Sequence, residues 1–99
     1  MAGLRRRETK ADFWRDEDLG ALPMTTRLVF KGLWAAADRE GRLEDRPRRL
    51  RAEVFPYDSD LDMDEHMATL AAAGFLVRYE VEGRRYAEGV NFTKHQRPH

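Results

Sequence analysis

Guanidinium groups are the best-supplied chemistry in this sequence. Residues 42–51 hold five arginines (Arg42, Arg46, Arg48, Arg49 and Arg51) against Glu44 and Asp45, a local charge of +3. Arg84 and Arg85 form a second cluster, and Arg5, Arg6 and Arg7, with Lys10, form a third near the N-terminus. Arginine presents a permanently charged, planar set of donors that fits phosphate oxygens. The opposite charge is gathered at residues 58–65, where Asp58, Asp60, Asp62, Asp64 and Glu65 give a local −5. For the arginines of residues 46–51 a merely solvated face is the plain alternative to a phosphate-binding one.

Catalysis is poorly supplied. Ser59 is the only serine, and His66, His95 and His99 are the only histidines. A nucleophile needs a base within hydrogen-bond reach and a third group to orient that base. Nothing in the spacing gives Ser59 such partners, and His66 reads as a solvated residue on a helix surface. His95 and His99 have the i, i+4 spacing that chelates zinc on a helix, but Pro98 between them disfavours a helix there. The alternating acids of residues 58–65 superficially resemble a calcium loop, yet lack its sixth-position glycine and its terminal bidentate glutamate. There is no glycine-rich phosphate loop. The expectation is therefore no catalytic residue, no metal and no cofactor.

The whole chain sets the frame for those clusters. Ninety-nine residues make one domain with one modest core. Charged residues are 36% of the chain, well above the usual level of about 25%, which implies a heavily charged exterior. Eighteen basic residues offset eighteen acidic ones, so any attraction for nucleic acid must be local. No run of apolar residues is long enough to span a membrane, and the basic N-terminus lacks the apolar stretch of a secretory signal. With no cysteine there are no disulfides and no thiolate chemistry, and a cytoplasmic chain is the simplest expectation.

The elements that would position the arginines follow from periodicity. Residues 1–12 read as a basic arm, either solvated or in contact with phosphate, and Phe13-Trp14 as the anchor that begins a domain over 13–92. Asp16 to Ala21 fits one short helical turn. Pro23 suits a helix start, and from Thr25 to about Arg39 Val29, Leu33 and Ala36 form one helical stripe and Phe30, Trp34 and Ala37 the next. Gly41 is expected as the cap of that helix. Residues 41–44 fit a short edge strand. Pro47 to Val54 reads as a short basic helix with Leu50 and Val54 on its one buried edge. Asp62 and Glu65 form a capping box for a helix to about Ala73, with Met63, Met67 and Leu70 on one face and Gly74 at its end. The period then changes to two. Val77, Tyr79 and Val81 alternate with charged residues, Glu82-Gly83 supplies a tight turn, and Tyr86, Val90 and Phe92 alternate in the second strand of a hairpin. Residues 93–99 read as an irregular exit.

Three helices followed by a hairpin with an apolar face to cover predict an α+β fold, a winged helix-turn-helix: a three-helix core with a C-terminal β-hairpin wing. An unrelated small α+β domain is the alternative. Such a fold commonly places its third helix in the DNA major groove. Here that helix opens with Asp62, Asp64 and Glu65, which phosphate would repel. Contact is therefore expected from Arg46, Arg48, Arg49 and Arg51, from Arg84 and Arg85 on the wing, and from Arg5, Arg6 and Arg7, mostly to phosphate. These cations are expected on one side of the body, away from the carboxylates. The rival expectation is a protein-interaction or self-association module in which the acidic helix meets a basic surface.

A family resemblance rests on specific residues. Phe13-Trp14-Arg15-Asp16-Glu17 opens it, followed by Arg27-Leu28-Val29-Phe30-Lys31-Gly32-Leu33-Trp34, Ala37-Asp38-Arg39-Glu40-Gly41-Arg42-Leu43 and Phe55-Pro56. Ala73-Gly74-Phe75-Leu76 comes next, with Tyr79, Gly83 and Tyr86, then Asn91-Phe92 and Lys94-His95-Gln96-Arg97-Pro98. Over about residues 10–98 this resembles the N-terminal winged-helix domain of phage and prophage replication proteins, similar to replisome organisers and DnaD-type initiation proteins. The resemblance implies a non-enzymatic domain acting in phage or prophage DNA replication inside a bacterial host cell, with DNA and replication proteins as partners and a homo-oligomer as a further possibility. It carries no catalytic residues to transfer. Family members usually run on into a variable tail, so the resemblance implies a short member or a piece of a longer chain. A phage transcriptional regulator is the third reading, and it would require base discrimination.

Overall fold

The computed structural model describes residues 16–90. The arm at 1–12, the Phe13-Trp14 anchor, Phe92 and the exit at 93–99, with His95 and His99, lie outside the described residues. The chain is α+β, with four helices and one three-stranded antiparallel sheet among the described residues. In order these are α1 (Glu17–Gly20), α2 (Met24–Ala36), β1 (Arg42–Glu44), α3 (Pro47–Val54), α4 (Met63–Ala72), β2 (Leu76–Val81) and β3 (Arg84–Gly89). The short turn expected at residues 16–21 is a true helix, capped by the Asp16 carboxylate, which accepts from the Leu19 amide at 2.9 Å.

Helices α2, α3 and α4 bury most of the stripes their spacing implies, but Ala36, expected beside Val29 and Leu33, is exposed, and Trp34 and Val54 are half-buried. Val29, Phe30 and Leu33 of α2, Leu50 of α3 and Met63, Met67 and Leu70 of α4 share one core with Leu19, Phe75, Leu76 and Ala87. Gly32 sets how closely α2 and α3 approach, because a Cβ there would overlap Val54 and touch Phe55. At the end of α4, Gly74 takes φ 88°, the Phe75 amide donates to the Leu70 carbonyl at 3.0 Å, and the Gly74 amide donates to that of Ala71 at 3.1 Å. This is a Schellman stop, and its apolar pair, Leu70 with Phe75, is buried in the core.

Two helix details differ from expectation. Helix α2 ends at Ala36, so Ala37 lies outside it and Gly41 does not cap it. Instead the Asp38 carboxylate accepts from the amides of Glu40 and Arg42, both at 2.9 Å, and closes a turn in which Gly41 takes φ 81°. The short polar side chain competes with the helix for backbone donors and ends it early. The Arg42 amide above all holds the Asp38 carboxyl below its usual range; desolvation opposes it, and the Glu40 amide and the Arg42 guanidinium add to the lowering. His66 is half-buried rather than solvated, and its Nδ1 lies 2.8 Å from the buried Thr26 hydroxyl.

The sheet order is β1-β3-β2, with Glu44 opposite Tyr86 and Val81 opposite Arg84. The two-residue loop has Glu82 at φ 50° and Gly83 at φ 82°, the doubly positive pattern of a type I′ turn. The face that packs on the helices is the reverse of the one expected. Leu76, Arg78 and Ala87 point inward, whereas Val77 and Val81 are 47% and 48% exposed on the outer face beside the stacked Tyr79 and Tyr86 rings. The small Ala87 and Gly89 let the sheet lie against the helices, and Arg78 reaches inward for a buried partner.

Candidate nucleic-acid interface

Sheet pairing brings the second arginine cluster to the first. Strand β1 runs directly into α3, and β3 runs antiparallel to β1, so the start of β3 lies beside the start of α3. The Asp45 amide donates to the Arg85 carbonyl at 2.9 Å and fixes that juxtaposition. Arg46, Arg48 and Arg49 at the start of α3 and Arg84 and Arg85 after the hairpin turn therefore share one end of the domain. Arg48, Arg49, Arg84 and Arg85 are exposed and make no ion pair with any described residue. Arg46 makes a loose, exposed contact with Glu44 at 3.6 Å, which carries little energy in water.

The start of α3 is electrostatically unusual. Its N-cap is Arg46, no side chain caps its first turn, and that turn contains no acid. A helix N-terminus carries a partial positive charge, so each cation placed there costs roughly 0.3–1 kcal/mol at low ionic strength. The same geometry favours an anion.

Helical rotation divides the four arginines of residues 46–51. Arg46 and Arg49 line a groove of about 280 Å³ between β1 and α3, shared with Arg42, Glu44 and Glu53. Arg48 and Arg51 line a second groove, of about 370 Å³, with Ser59, Leu61 and Asp64. Arg51 is partly engaged in structure, donating from Nη1 to the Phe55 carbonyl at the end of α3, at 3.0 Å. The expected separation of cations from carboxylates fails in both grooves: Asp38, Glu44 and Glu53 line the first, and Asp64 from the acidic run lines the second. Asp64 is brought there by the short 55–62 connection, which places the start of α4 against α3.

Two of the acids at the start of α4 have structural tasks, whereas the Glu65 carboxylate does not reach back to complete the expected capping box. Asp62 caps the helix by accepting from the Glu65 amide at 3.1 Å. Asp64 accepts from Arg78 Nη2 at 2.6 Å. Arg78 also grips Asp45 with two parallel bonds, Nε to Oδ2 at 2.7 Å and Nη2 to Oδ1 at 2.9 Å. These bonds, those to Asp45 foremost, raise the Arg78 guanidinium above its already high ordinary value, against the desolvation that opposes them. The Asp45 side chain is only 1% exposed. Nothing in the sequence flags this pair, since its members lie 33 residues apart.

Arg5, Arg6 and Arg7 fall outside the described residues. Among the described residues no group of His, Asp and Glu is arranged to hold a metal ion, and no helix is long and apolar enough to cross a membrane. Comparison with known proteins finds no matching family model, no matching curated protein and no matching solved structure.

Proposed function

We propose that this chain is a winged-helix DNA-binding domain of the kind found at the N-terminus of phage and prophage replication proteins, acting without catalysis or cofactor. The order α2-β1-α3-α4-β2-β3 with sheet order β1-β3-β2 supports the winged-helix reading, with α3 and α4 as the helix-turn-helix pair and β2-β3 as the wing. The observation that carries the DNA reading is that Arg46, Arg48 and Arg49 lie at an uncapped helix start with the backbone of Arg85 held beside it, while Arg48, Arg49, Arg84 and Arg85 make no ion pair with any described residue. Phosphate relieves exactly the repulsion that this arrangement creates. The acid-capped start of α4 makes that helix a poor groove reader, so contact falls to α3 and the wing and is weakly sequence-specific.

Anisotropy titration of a labelled duplex against salt tests the proposal. Five phosphate contacts give a slope of about −4.5 in log K against log salt, and Arg48→Ala with Arg49→Ala makes it shallower by roughly 1.8. Equal effects on unrelated duplexes fit backbone contact. Strong preference for one duplex would point instead to a transcriptional regulator. Absence of binding by ~100 μM chain at low salt overturns the proposal, since non-specific binders reach dissociation constants of about 10⁻⁴–10⁻⁶ M even at physiological salt.

A further inference from the structure

The outer face of the sheet carries chemistry that the cationic end of the domain does not use. Residues directly opposite across strands share a face, so the register sets out its rows, counted from the hairpin turn. The first row is Val81 with Arg84, the second Tyr79 with Tyr86 and Glu44, and the third Val77 with Glu88 and Arg42. Leu76 and Ala87 supply the core contacts from the other face. The outer face is left to solvent: Val77 and Val81 are about half exposed, and Arg42, Glu44 and Arg84 are exposed.

The middle of this face is aromatic. The Tyr79 and Tyr86 ring centroids lie 5.8 Å apart, with their planes inclined by 30°. A cross-strand aromatic pair steadies a hairpin in its own right. That accounts for the pair, but not for the exposed valines on either side of Tyr79, which extend it into one apolar strip.

Charge decides what suits the strip. Its turn end carries Arg84, which makes no ion pair with any described residue. Arg46 reaches Glu44 at 3.6 Å and so lies beside the same face. The acids nearest the turn are Glu82 within it and Glu80, which points to the other face. At the far end Arg42 is held by Asp38 and Glu40, at 3.5 and 3.1 Å, and Glu88 stands opposite it. The strip therefore runs from a cationic turn end to an acid-rich far end. A ligand that joins a flat π face to an anion by a short link matches it in one direction.

We propose that this face binds single-stranded nucleic acid, with bases stacked on Tyr79 and Tyr86 and phosphates held by Arg84 and Arg46. A duplex cannot use the tyrosines, because its bases are stacked on one another and offer only their edges in the grooves. The site thus goes beyond the duplex contacts proposed above and shares only Arg46 and Arg84 with them. Every base has a π face, so binding is tolerant of sequence.

Anisotropy titration of two labelled strands of equal length, about twelve nucleotides, tests this. One is thymidine and the other is abasic, so they carry the same phosphates and differ only in their bases. The unaltered full chain should bind the thymidine strand about tenfold more tightly or better. Tyr86→Leu and Tyr79→Leu should each remove most of that preference while leaving the abasic affinity and its salt slope unchanged. Tyr86→Phe, which keeps the ring, should retain the preference. Equal affinity of the unaltered chain for the two strands overturns the proposal, and that comparison holds even where a variant fails to fold. No binding of the thymidine strand by ~100 μM chain at low salt also overturns it. So does an undiminished preference in both leucine variants with circular dichroism spectra like that of the unaltered chain. A chain that prefers thymidine to the abasic strand yet ignores duplex supports this site while refuting the duplex reading, so the two fail separately.

Discussion

Arg78 binds two carboxylates with the same guanidinium, and the two should differ sharply in what their loss costs. The Asp45 side chain is 1% exposed and that of Asp64 is 59% exposed. Solvent competes for Asp64, so Asp64→Ala should cost at most about 1 kcal/mol. Asp45→Asn keeps the shape but loses a doubly charged, two-bond contact, and should cost roughly 2 kcal/mol. Arg78→Met is the most severe, about 3–5 kcal/mol, because it leaves a carboxylate buried without its counter-ion. The double variant Arg78→Met with Asp45→Leu should recover most of that loss, since apolar replacement of a buried pair is often neutral. Urea denaturation followed by circular dichroism measures each. With an m-value of about 1 kcal/mol/M, Asp45→Asn should lower the midpoint by roughly 2 M and Asp64→Ala by less than 1 M. If Asp64→Ala proves as costly as Asp45→Asn, burial does not set the strength of this contact. If the double variant is no better than Arg78→Met alone, the cost does not arise from an orphaned charge.

Two further predictions concern the fold. Gly32→Ala drives a methyl into Val54 and against Phe55 at the crossing of α2 and α3, so it should destabilise by about 1–3 kcal/mol although alanine favours helices; a gain in thermal midpoint would refute that close approach. For Asp38, a carboxyl held below its ordinary value near 3.8 adds stability that is present above that value and lost as pH falls through the lowered one. The deficit in thermal midpoint of Asp38→Asn should therefore be constant near neutrality and close below about pH 4, and a deficit unchanged at roughly pH 2.5 would show that the charge is not responsible.

The helices were legible because their signals are local. Pro47, the Asp62 cap and the Met63, Met67 and Leu70 stripe each act within a few residues, and each appears where its spacing places it. The hairpin turn at Glu82-Gly83 was local in the same way. The buried face of the sheet was not, because alternation announces a strand without saying which side meets the helices. In β2 the more apolar side, Val77, Tyr79 and Val81, faces outward. The inner side was decided by partners distant in sequence: the helical core for Leu76, and Asp45 for Arg78. Counting charge along residues 46–51 also merged arginines that a helix separates by about 100° per residue. That division into Arg46 with Arg49 and Arg48 with Arg51 was available from spacing alone. The meeting of Arg48 and Arg51 with Asp64 was not, since it depends on the path of the 55–62 connection.

The buried clasp and the basic end of the domain are linked through Asp45. Aspartate beside the first residues of a helix is well suited to satisfy the free amides there. Asp45 immediately precedes the N-cap of α3, yet both its oxygens are taken by Arg78. Helix α3 therefore starts without a side-chain cap and with three arginines around the positive end of its own dipole. The clasp also binds Asp64, the acid that shares a groove with Arg48 and Arg51. A single inward-pointing guanidinium thus engages two carboxylates that lie near the start of α3. In doing so it leaves that helix end cationic toward solvent, so the contact that secures the fold also preserves the charge on which the proposed phosphate contacts depend.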